Sequence, residues 1–139
     1  MFSYKYPRPA YTVDIIIIQL GKILLIKRGH SPYEGKWALP GGFMDMDETP
    51  EQAAIRELEE ETAIKVKRLK QFRTYGAIDR DPRHRTISTV YYAVLDDDLN
   101  ITPKAGDDAA EAELFSLDDL PELAFDHGVI LEEFKAFIG

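Results

Sequence analysis

The sequence predicts a layered α/β or α+β fold built around a sheet. Three observations predict it: a β-branched hairpin near the start, one clearly delimited helix in the middle, and further strands followed by an amphipathic helix at the end. Because strands and helices are intermixed along the chain, the helices are expected to cover a sheet. The 139 residues, 45% of them hydrophobic, suit a single domain over 1–139 with its own core.

The first predicted element is a β-hairpin. Residues 12–19 are rich in β-branched side chains and indicate a buried strand, and residues 22–27 indicate its partner, with a Leu-Gly turn between them. Residues 29–42 contain the Gly and Pro residues typical of a loop. We expect Trp37, within this loop, to pack in the core, and stacking on a base is the alternative interpretation.

The next element is the helix with the clearest start in the chain. Thr49 can cap it, Pro50 suits the first helical position, and Gln52 completes a capping box. We expect this helix to run to about Thr62.

The second half of the chain predicts more strands and a terminal helix. Strands are expected over 66–74 and 86–95, a short strand over 112–115, and a turn over 117–120. Residues 128–138 are amphipathic with helical spacing. The apolar residues of that helix are Ile130, Leu131, Phe134, Phe137 and Ile138.

Composition excludes several classes of function. The chain has no Cys, which excludes disulfides, thiolate zinc sites and a cysteine nucleophile. Its formal net charge of −8 argues against binding duplex nucleic acid, which requires a basic surface. The strongly apolar run 15–18 is far shorter than the ~20 residues that a membrane-spanning helix needs, and no signal peptide is visible. We therefore expect a cytoplasmic protein without nucleic-acid or membrane partners.

The charge is unevenly distributed along the chain. Residues 45–61 hold eight acidic residues against Arg56 alone, and residues 65–85 hold eight basic residues against two acidic ones. An acidic block is therefore followed by a basic block, a pair that can hold cations and an anion together.

Three carboxylates of the predicted helix fall on one side. Helical spacing places Glu57, Glu60 and Glu61 within an arc of about 100°, apart from the apolar stripe that can face the core. Like charges at this spacing repel each other, and divalent cations would relieve the repulsion. On charge alone, the alternative is an acidic face exposed to solvent.

The segment around this helix favours the cation site. Residues 42–64 have the sequence GFMDMDETPEQAAIRELEEETAI, in which Gly42, Glu48 and the acidic run that starts at Arg56 stand at fixed spacing. This segment resembles the Nudix box, the signature of hydrolases that cleave a nucleoside diphosphate linked to another group. It departs from the family pattern at Ala63, where Gly is usual. We expect Ala63 either to adopt a left-handed conformation with roughly 1 kcal/mol of strain or to end the helix differently.

The resemblance implies a fold and a catalytic centre. It implies a Nudix-type α/β/α sandwich with a mixed central sheet. It also implies Mg²⁺, with Mn²⁺ as a substitute, held by Glu57, Glu60, Glu61 and the backbone carbonyl of Gly41 or Gly42. Arg56 would pair with Glu48 to keep the segment rigid, which places both with the three glutamates among the expected catalytic residues, whereas Glu59 is expected to be exposed.

The general base has two expected sources. In the family this role belongs either to a helix glutamate or to an acid from a later loop. Asp108 and Glu111 lie in such a loop and are the candidates here, and their alternative role is that of surface acids.

The substrate is suggested by weaker motifs outside the box. The segments 28–30, 35–40, 75–88 and 123–127 resemble the bacterial ADP-ribose pyrophosphatase branch of the family, and also the ADP-ribose-binding half of a class of repressors. The residues expected to bind substrate are Arg28, Arg80, Arg83, Arg85, Asp126 and His127. Alternatively, these arginines pair with acids such as Asp79 and Asp81, and Asp126 caps the terminal helix.

The leading hypothesis is the Mg²⁺-dependent hydrolysis of ADP-ribose to AMP and ribose 5-phosphate. One alternative is a pyrophosphohydrolase that removes damaged nucleoside triphosphates. Another is a non-catalytic ADP-ribose sensor, although the glutamates of the box favour catalysis and such sensors carry a further DNA-binding domain. The resemblance also implies a homodimer.

Overall fold

The strands and helices lie close to where the sequence pattern puts them. The computed structural model describes residues 3–139. Its elements, in order, are β1 (Ala10–Gln19), β2 (Lys22–Arg28), β3 (Trp37–Ala38), β4 (Gly41–Phe43), α1 (Pro50–Thr62), β5 (Lys70–Tyr75), β6 (Thr86–Val94), β7 (Ala109–Ser116) and α2 (His127–Ile138).

The seven strands form one mixed sheet centred on β1. The main path runs β3-β2-β1-β6-β5, while β4 pairs with β1 and β7 pairs with β2. β1 and β6 are parallel, from Ala10 opposite Thr86 to Ile18 opposite Val94, and the other strand pairs are antiparallel. The predicted β1–β2 hairpin and the mixed sheet are therefore confirmed.

The two helices cover opposite faces of the sheet. Successive side chains of a strand point to opposite faces, so β1 contributes to both cores. Its odd-numbered residues pack in the cluster that holds Ala54 and Leu58 of α1, and its even-numbered residues pack with Ile130 and Phe134 of α2. The arrangement is an α/β/α sandwich, as the resemblance implied.

The region predicted as a loop over 29–42 contains two short strands. β3 pairs with β2, and β4 pairs with β1 through the contacts of Thr12 with Phe43 and Asp14 with Gly41. β4 is Gly-Gly-Phe, and glycine is depleted in strands, whereas β3 has only two residues, so the pairing partners define both strands. Trp37 is half-buried: it packs edge-on against Phe115 at a ring-centroid distance of 4.7 Å and lies against the core beneath α2.

Helix α1 begins and ends as its sequence indicates. Thr49 Oγ1 accepts a hydrogen bond from the Gln52 backbone N–H, and the Gln52 side chain accepts one from the Thr49 N–H, so the capping box is formed. Ala63 adopts the left-handed conformation, with φ 65°, and donates its backbone N–H to Glu59. Of the two expected helix ends, the structure therefore has the left-handed one.

Other boundaries shift by a few residues. β5 begins at Lys70 rather than at 66, β7 extends over Ala109–Ser116, and α2 begins one residue early, at His127. Neither helix, within residues 3–139, is long and apolar enough to cross a membrane.

Candidate active site

The acidic helix and the basic segment meet at one cleft. The cleft has a volume of about 450 Å³ and lies where β1, β2, β4 and α1 converge with the loops before β6, β7 and α2. It is lined by acidic side chains from α1, by Arg80 and Arg83 of the basic segment, and by Arg28 from outside that segment. The structure thus brings the two oppositely charged blocks of the sequence together.

Two of the three predicted ligand carboxylates face this cleft. Glu57 and Glu61 are both buried. Burial raises the pKa of Glu61 to about 8, although the Gly41 N–H donates a hydrogen bond of 2.7 Å to its Oε1 atom. Burial likewise raises the pKa of Glu57 to about 7, against the opposing effect of Arg56. A nearby cation would therefore stabilise the charged form of both carboxylates.

Two glycines allow the backbone to approach these carboxylates. A Cβ atom on Gly42 would lie 2.4 Å from Glu57 Oε2. A Cβ atom on Gly41 would lie 2.2 Å from the carbonyl oxygen of Val13 and 2.5 Å from Asp14 Oδ1. β4 can therefore keep its path between β1 and α1 only with glycine at 41, whereas a Cβ at 42 would displace the Glu57 carboxylate.

Arg56 ties the segment before the helix to the helix itself. Its Nε and Nη2 atoms donate to both oxygens of Glu48, at 3.0 and 2.7 Å, and its Nη1 atom donates to Glu57 at 2.7 Å. The hydrogen bonds with Arg56 lower the pKa of Glu48. The ion pair expected from the sequence is present, and it extends to one of the cleft carboxylates.

The third carboxylate, Glu60, is turned away from the cleft. Arg56 Nη1 donates to Glu60 Oε1 at 2.9 Å, and the Glu60 side chain is 41% exposed. Glu60 lines a separate groove on the outer side of α1. Accordingly, no cluster of three or more acidic or histidine side chains stands ready to hold a metal ion within residues 3–139.

The donor set in the cleft suits a hard divalent cation. Glu57 and Glu61 supply carboxylate oxygens, which Mg²⁺ and Mn²⁺ prefer. Asp14 and Asp107 add negative potential, since each contributes to the raised pKa of Glu61. Two buried carboxylates beside further acids are costly without a counter-charge, so the residues fit a metal ion.

The loop acids differ in position. Asp107 and Asp108 both line the cleft, but the Asp108 side chain is 75% exposed and lies 3.5 Å from His30 Nε2. Glu111 lies outside the cleft lining and pairs with Lys27 at 3.3 Å. Asp107, at φ 54°, contributes to the raised pKa of both Glu57 and Glu61. The sequence places Asp107 in the same loop as Asp108 and Glu111, but sequence reasoning did not select it as a candidate.

The basic wall of the cleft combines two arginines with aromatic rings. Arg28 lies 4.9 Å from the Phe125 ring centroid, and Arg83 lies 5.8 Å from the rings of both Phe43 and Phe125. Arg83 also pairs with Asp81 through hydrogen bonds of 2.8 and 3.1 Å. The pairing of an arginine with Asp81 is the alternative that the sequence left open. Burial and the charge of Arg83 lower the pKa of Arg28.

Of the other predicted substrate residues, two are buried in the lining of the cleft and two lie outside that lining. Arg80 is buried and donates to both oxygens of Asp126, at 2.9 and 2.7 Å. His127 is buried beside them and lines the cleft, as Arg80 does, whereas Asp126 does not. Asp126 precedes α2 without capping it through its side chain. Arg85 donates to the Gly76 carbonyl and is outside the cleft lining.

The comparisons with known proteins agree with this geometry. The NUDIX domain model matches residues 8–134. An ADP-ribose pyrophosphatase of Methanocaldococcus jannaschii is 48% identical over 130 residues, covering 93% of this chain and 75% of that protein. The ADPR responsive transcriptional repressor NtrR of Acinetobacter baylyi is 33% identical, over 92% of this chain but only 54% of the repressor.

Two solved structures share the fold closely. The NUDIX domain of Shewanella oneidensis NrtR, complexed with ADP ribose, has a TM-score of 0.88 at 29% identity, over 96% of this chain and 91% of that one. A bifunctional NMN adenylyltransferase/ADP ribose pyrophosphatase from Francisella tularensis, complexed with AMP and a Mn ion, has a TM-score of 0.88 at 33% identity, over 98% of this chain and 44% of that one. The sandwich, the box on α1 and the match over nearly the whole chain lead to one conclusion: this chain belongs to the NUDIX domain family.

Proposed function

We propose that this Nudix hydrolase cleaves the diphosphate bond of ADP-ribose, giving AMP and ribose 5-phosphate. The observation that carries the proposal is a cleft lined by both Glu57 and Glu61 and by Arg28 and Arg83. Carboxylates and cations in one cleft suit a metal-dependent reaction on an anionic diphosphate. The relative that is 48% identical is an ADP-ribose pyrophosphatase, which supports the choice of substrate.

Mg²⁺ is the proposed cofactor, with Mn²⁺ as a substitute. Glu57, Glu61 and the backbone of Gly41 would hold it, and Glu60 would join them once its side chain leaves Arg56. When bound, the ion offsets negative charge on the phosphoryl oxygens. The Mn ion in the Francisella tularensis structure supports a divalent metal in this fold.

Arg28 and Arg83 would hold the substrate. Arg28 uses its Nε atom to donate to the Pro32 carbonyl, and a guanidinium has further donors to offer to phosphate oxygens. Arg83 is held over the two aromatic rings by Asp81, which orients its guanidinium toward the cleft. The sequence also predicts substrate contacts for Arg80, Arg85, Asp126 and His127, and the bonds that these residues make to protein groups are the competing interpretation.

The general base would come from the acids around the attacking water. A helix glutamate, Asp108 and Glu111 were the expected candidates. We add Asp107, because it lines the cleft and acts on the charge state of both buried glutamates. Replacement of each loop acid by asparagine or glutamine, followed by a pH–rate profile, identifies the base as the variant that loses the acidic limb.

The test of the proposal is product analysis. Purified protein is incubated with ADP-ribose and Mg²⁺, and the nucleotides are separated by chromatography. We expect AMP and ribose 5-phosphate, and we expect Glu57→Gln, Glu60→Gln and Glu61→Gln each to slow turnover by orders of magnitude while circular dichroism stays unchanged. Turnover of a nucleoside triphosphate with release of pyrophosphate, and none of ADP-ribose, would assign the chain to the triphosphate-directed alternative.

A second candidate function is an ADP-ribose sensor. It is favoured by the 33% identity to an ADPR responsive repressor and by the fold shared with NrtR bound to ADP ribose. Titration calorimetry with ADP-ribose and Mg²⁺ distinguishes the two functions. Binding without formation of AMP supports the sensor, and steady formation of AMP supports the enzyme.

The proposed setting is a cytoplasmic homodimer that acts on a small nucleotide. Light scattering at several protein concentrations tests the dimer. The net charge of −8 disfavours duplex DNA as a partner, and a gel-shift assay with a mixed-sequence duplex tests that point.

A further inference from the structure

A network of charged and polar groups, most of them buried, lies at the cleft and joins four parts of the chain. Asp14 of β1 accepts a hydrogen bond of 2.6 Å from Ser88 of β6. Arg80, in the loop before β6, lies 3.8 Å from Asp14 Oδ2 and donates two bonds to Asp126, the residue before α2. His127, the first residue of α2, lies 3.6 Å from Asp14 Oδ1.

This network reaches the metal side of the cleft through the backbone. The Leu39 N–H donates a hydrogen bond of 3.0 Å to His127 Nδ1. Because Nδ1 accepts, the imidazole is neutral with its proton on Nε2, the atom that faces Asp14. Two residues after Leu39, the Gly41 N–H donates to Glu61 Oε1 at 2.7 Å.

The same network contacts the backbone of β4 and so sets its position. Asp14 Oδ1 is within 2.5 Å of where a Cβ on Gly41 would stand, so the carboxylate and the Gly41 backbone are packed directly together. The Pro40 carbonyl accepts from the Ile15 N–H at 2.8 Å. A shift of Asp14 or of His127 would therefore move the segment that contacts Glu61.

Arg80 is the cation that keeps this network together. Its side chain is 5% exposed, and it is the cation beside two acids, the buried Asp14 and the half-buried Asp126, which would otherwise lack a counter-charge. The bidentate bond fixes both the distance and the plane of the Asp126 carboxylate. A substrate oxygen could take the place of Asp126 only by leaving that acid unpaired.

We propose that Arg80 is a positioning residue: through Asp126 and His127 it holds the Leu39–Gly41 backbone and, with it, the carboxylate of Glu61. Arg80 therefore acts on the metal side of the cleft and does not contact the substrate. The kinetic part of this inference rests on the proposed hydrolysis of ADP-ribose, and the spectroscopic part does not.

The spectroscopic test compares Arg80→Lys with wild type and with Arg73→Lys. Arg73 also pairs with an acid, through one hydrogen bond of 2.9 Å to Glu133 at an exposed site, so Arg73→Lys controls for the replacement of a paired arginine by lysine. In metal-free protein we expect Arg80→Lys to speed hydrogen exchange at the Leu39 and Gly41 amides by about tenfold or more and to shift the His127 imidazole nitrogens. We expect Arg73→Lys to change neither.

Unchanged exchange and unchanged imidazole shifts in folded Arg80→Lys would overturn the inference. If Arg80→Lys fails to fold, Asp126→Asn takes its place, since it removes one carboxylate and leaves Arg80 beside Asp14. The same amide and imidazole changes are expected there, and their absence overturns the inference equally.

The kinetic test separates positioning from substrate contact. We expect Arg80→Lys to lower kcat by about tenfold or more with little change in KM for ADP-ribose, because a misplaced Glu61 affects the reaction more than binding. A raised KM with wild-type kcat would make Arg80 a substrate ligand and overturn the inference. Wild-type protein that fails to turn over ADP-ribose would contradict the proposed function instead, and the hydrogen-exchange result then decides the role of Arg80.

Discussion

The surroundings of Glu61 raise its pKa well above that of a carboxyl group in water. Its position on α1 follows from helical spacing, but its burial and its bond to Gly41 come from β4. The charge of this group is therefore coupled to folding, and the coupling can be measured.

The first prediction concerns pH. The pKa of Glu61 is raised from 4.5 to about 8 in the folded protein, so its contribution to stability is fully present below about pH 4.5 and is lost as the pH rises through about 8. In metal-free protein, we expect the Tm of wild type to fall more steeply than that of Glu61→Gln between about pH 5 and pH 9. Thermal melts followed by circular dichroism measure this. Glu59→Gln, at an exposed residue of the same helix, should follow wild type, and equal slopes for wild type and Glu61→Gln would contradict the prediction.

The second prediction contrasts two neighbouring glycines. The added Cβ of Gly42→Ala meets the Glu57 carboxylate, which can move, so we expect a folded protein whose Mn²⁺ affinity is lower by about tenfold or more. The added Cβ of Gly41→Ala meets the Val13 carbonyl, which cannot move without disturbing β1, so we expect a loss of about 1–3 kcal/mol in the free energy of unfolding.

Each of these glycine variants is the control for the other. Urea denaturation reports the stability, and titration with Mn²⁺ followed by electron paramagnetic resonance reports the metal affinity. A Gly42→Ala protein with wild-type Mn²⁺ affinity would show that Glu57 holds no metal.

At the residue scale, the sequence predicts which side chains belong to the candidate site more accurately than it predicts the direction in which each side chain points. The spacing of Glu57, Glu60 and Glu61 shows that they share one side of α1. Only the structure shows that Arg56 draws Glu60 away, because a side-chain conformation is decided by neighbours and not by helical period. The bond between Arg80 and Asp126 spans 46 residues of sequence, and no local pattern indicates such a pair.

At the scale of elements, strong local patterns predicted well and pairing-dependent elements did not. The capping box fixed the start of α1, and the β-branched runs located β1 and β6. β3 and β4 were predicted as loop because a strand of two or three residues exists only through its partner. β4 places Gly41 beside α1 and the candidate site, so an element that the sequence pattern does not predict lies next to that site.

The third prediction concerns the end of α1. Ala63 holds a left-handed conformation, which costs a side chain more than it costs glycine. We expect Ala63→Gly to raise the free energy of unfolding by about 0.5–1 kcal/mol. Ala136→Gly, inside α2 and exposed, should lower it by about 1 kcal/mol, because glycine there only weakens a helix. Urea denaturation measures both, and a loss of stability on Ala63→Gly would contradict the prediction.

At the scale of the whole molecule, the order of strands and helices along the sequence predicts the fold class but not the way in which the strands pair and the layers stack. Intermixed strands and helices indicate an α/β or α+β fold. The sandwich and the mixed sheet came from the resemblance of residues 42–64 to the Nudix box. The parallel pairing of β1 with β6 leaves no trace in either strand alone, because both are simply apolar and β-branched.

The fourth prediction concerns metal and the stability of the molecule. Ions that bind only the folded state stabilise it by mass action. At about pH 8 we expect Mg²⁺ or Mn²⁺ to raise the Tm of wild type and chelation to reverse the change. We expect the double variant Glu57→Gln, Glu61→Gln to lose the response and Glu59→Gln to retain it. Differential scanning calorimetry with each ion measures this, and an equal rise in the double variant would place the metal elsewhere.

The parallel pairing of β1 with β6 has a consequence for the order in which the protein folds. Asp14 and Ser88, bonded across this pair, are 74 residues apart, and contacts that close such long loops form slowly. The Nudix box ends at residue 64, before β6 begins at Thr86. A chain emerging from the ribosome therefore contains the complete motif well before it can assemble the sheet beneath it, and its carboxylates become a site only when β6 has joined β1.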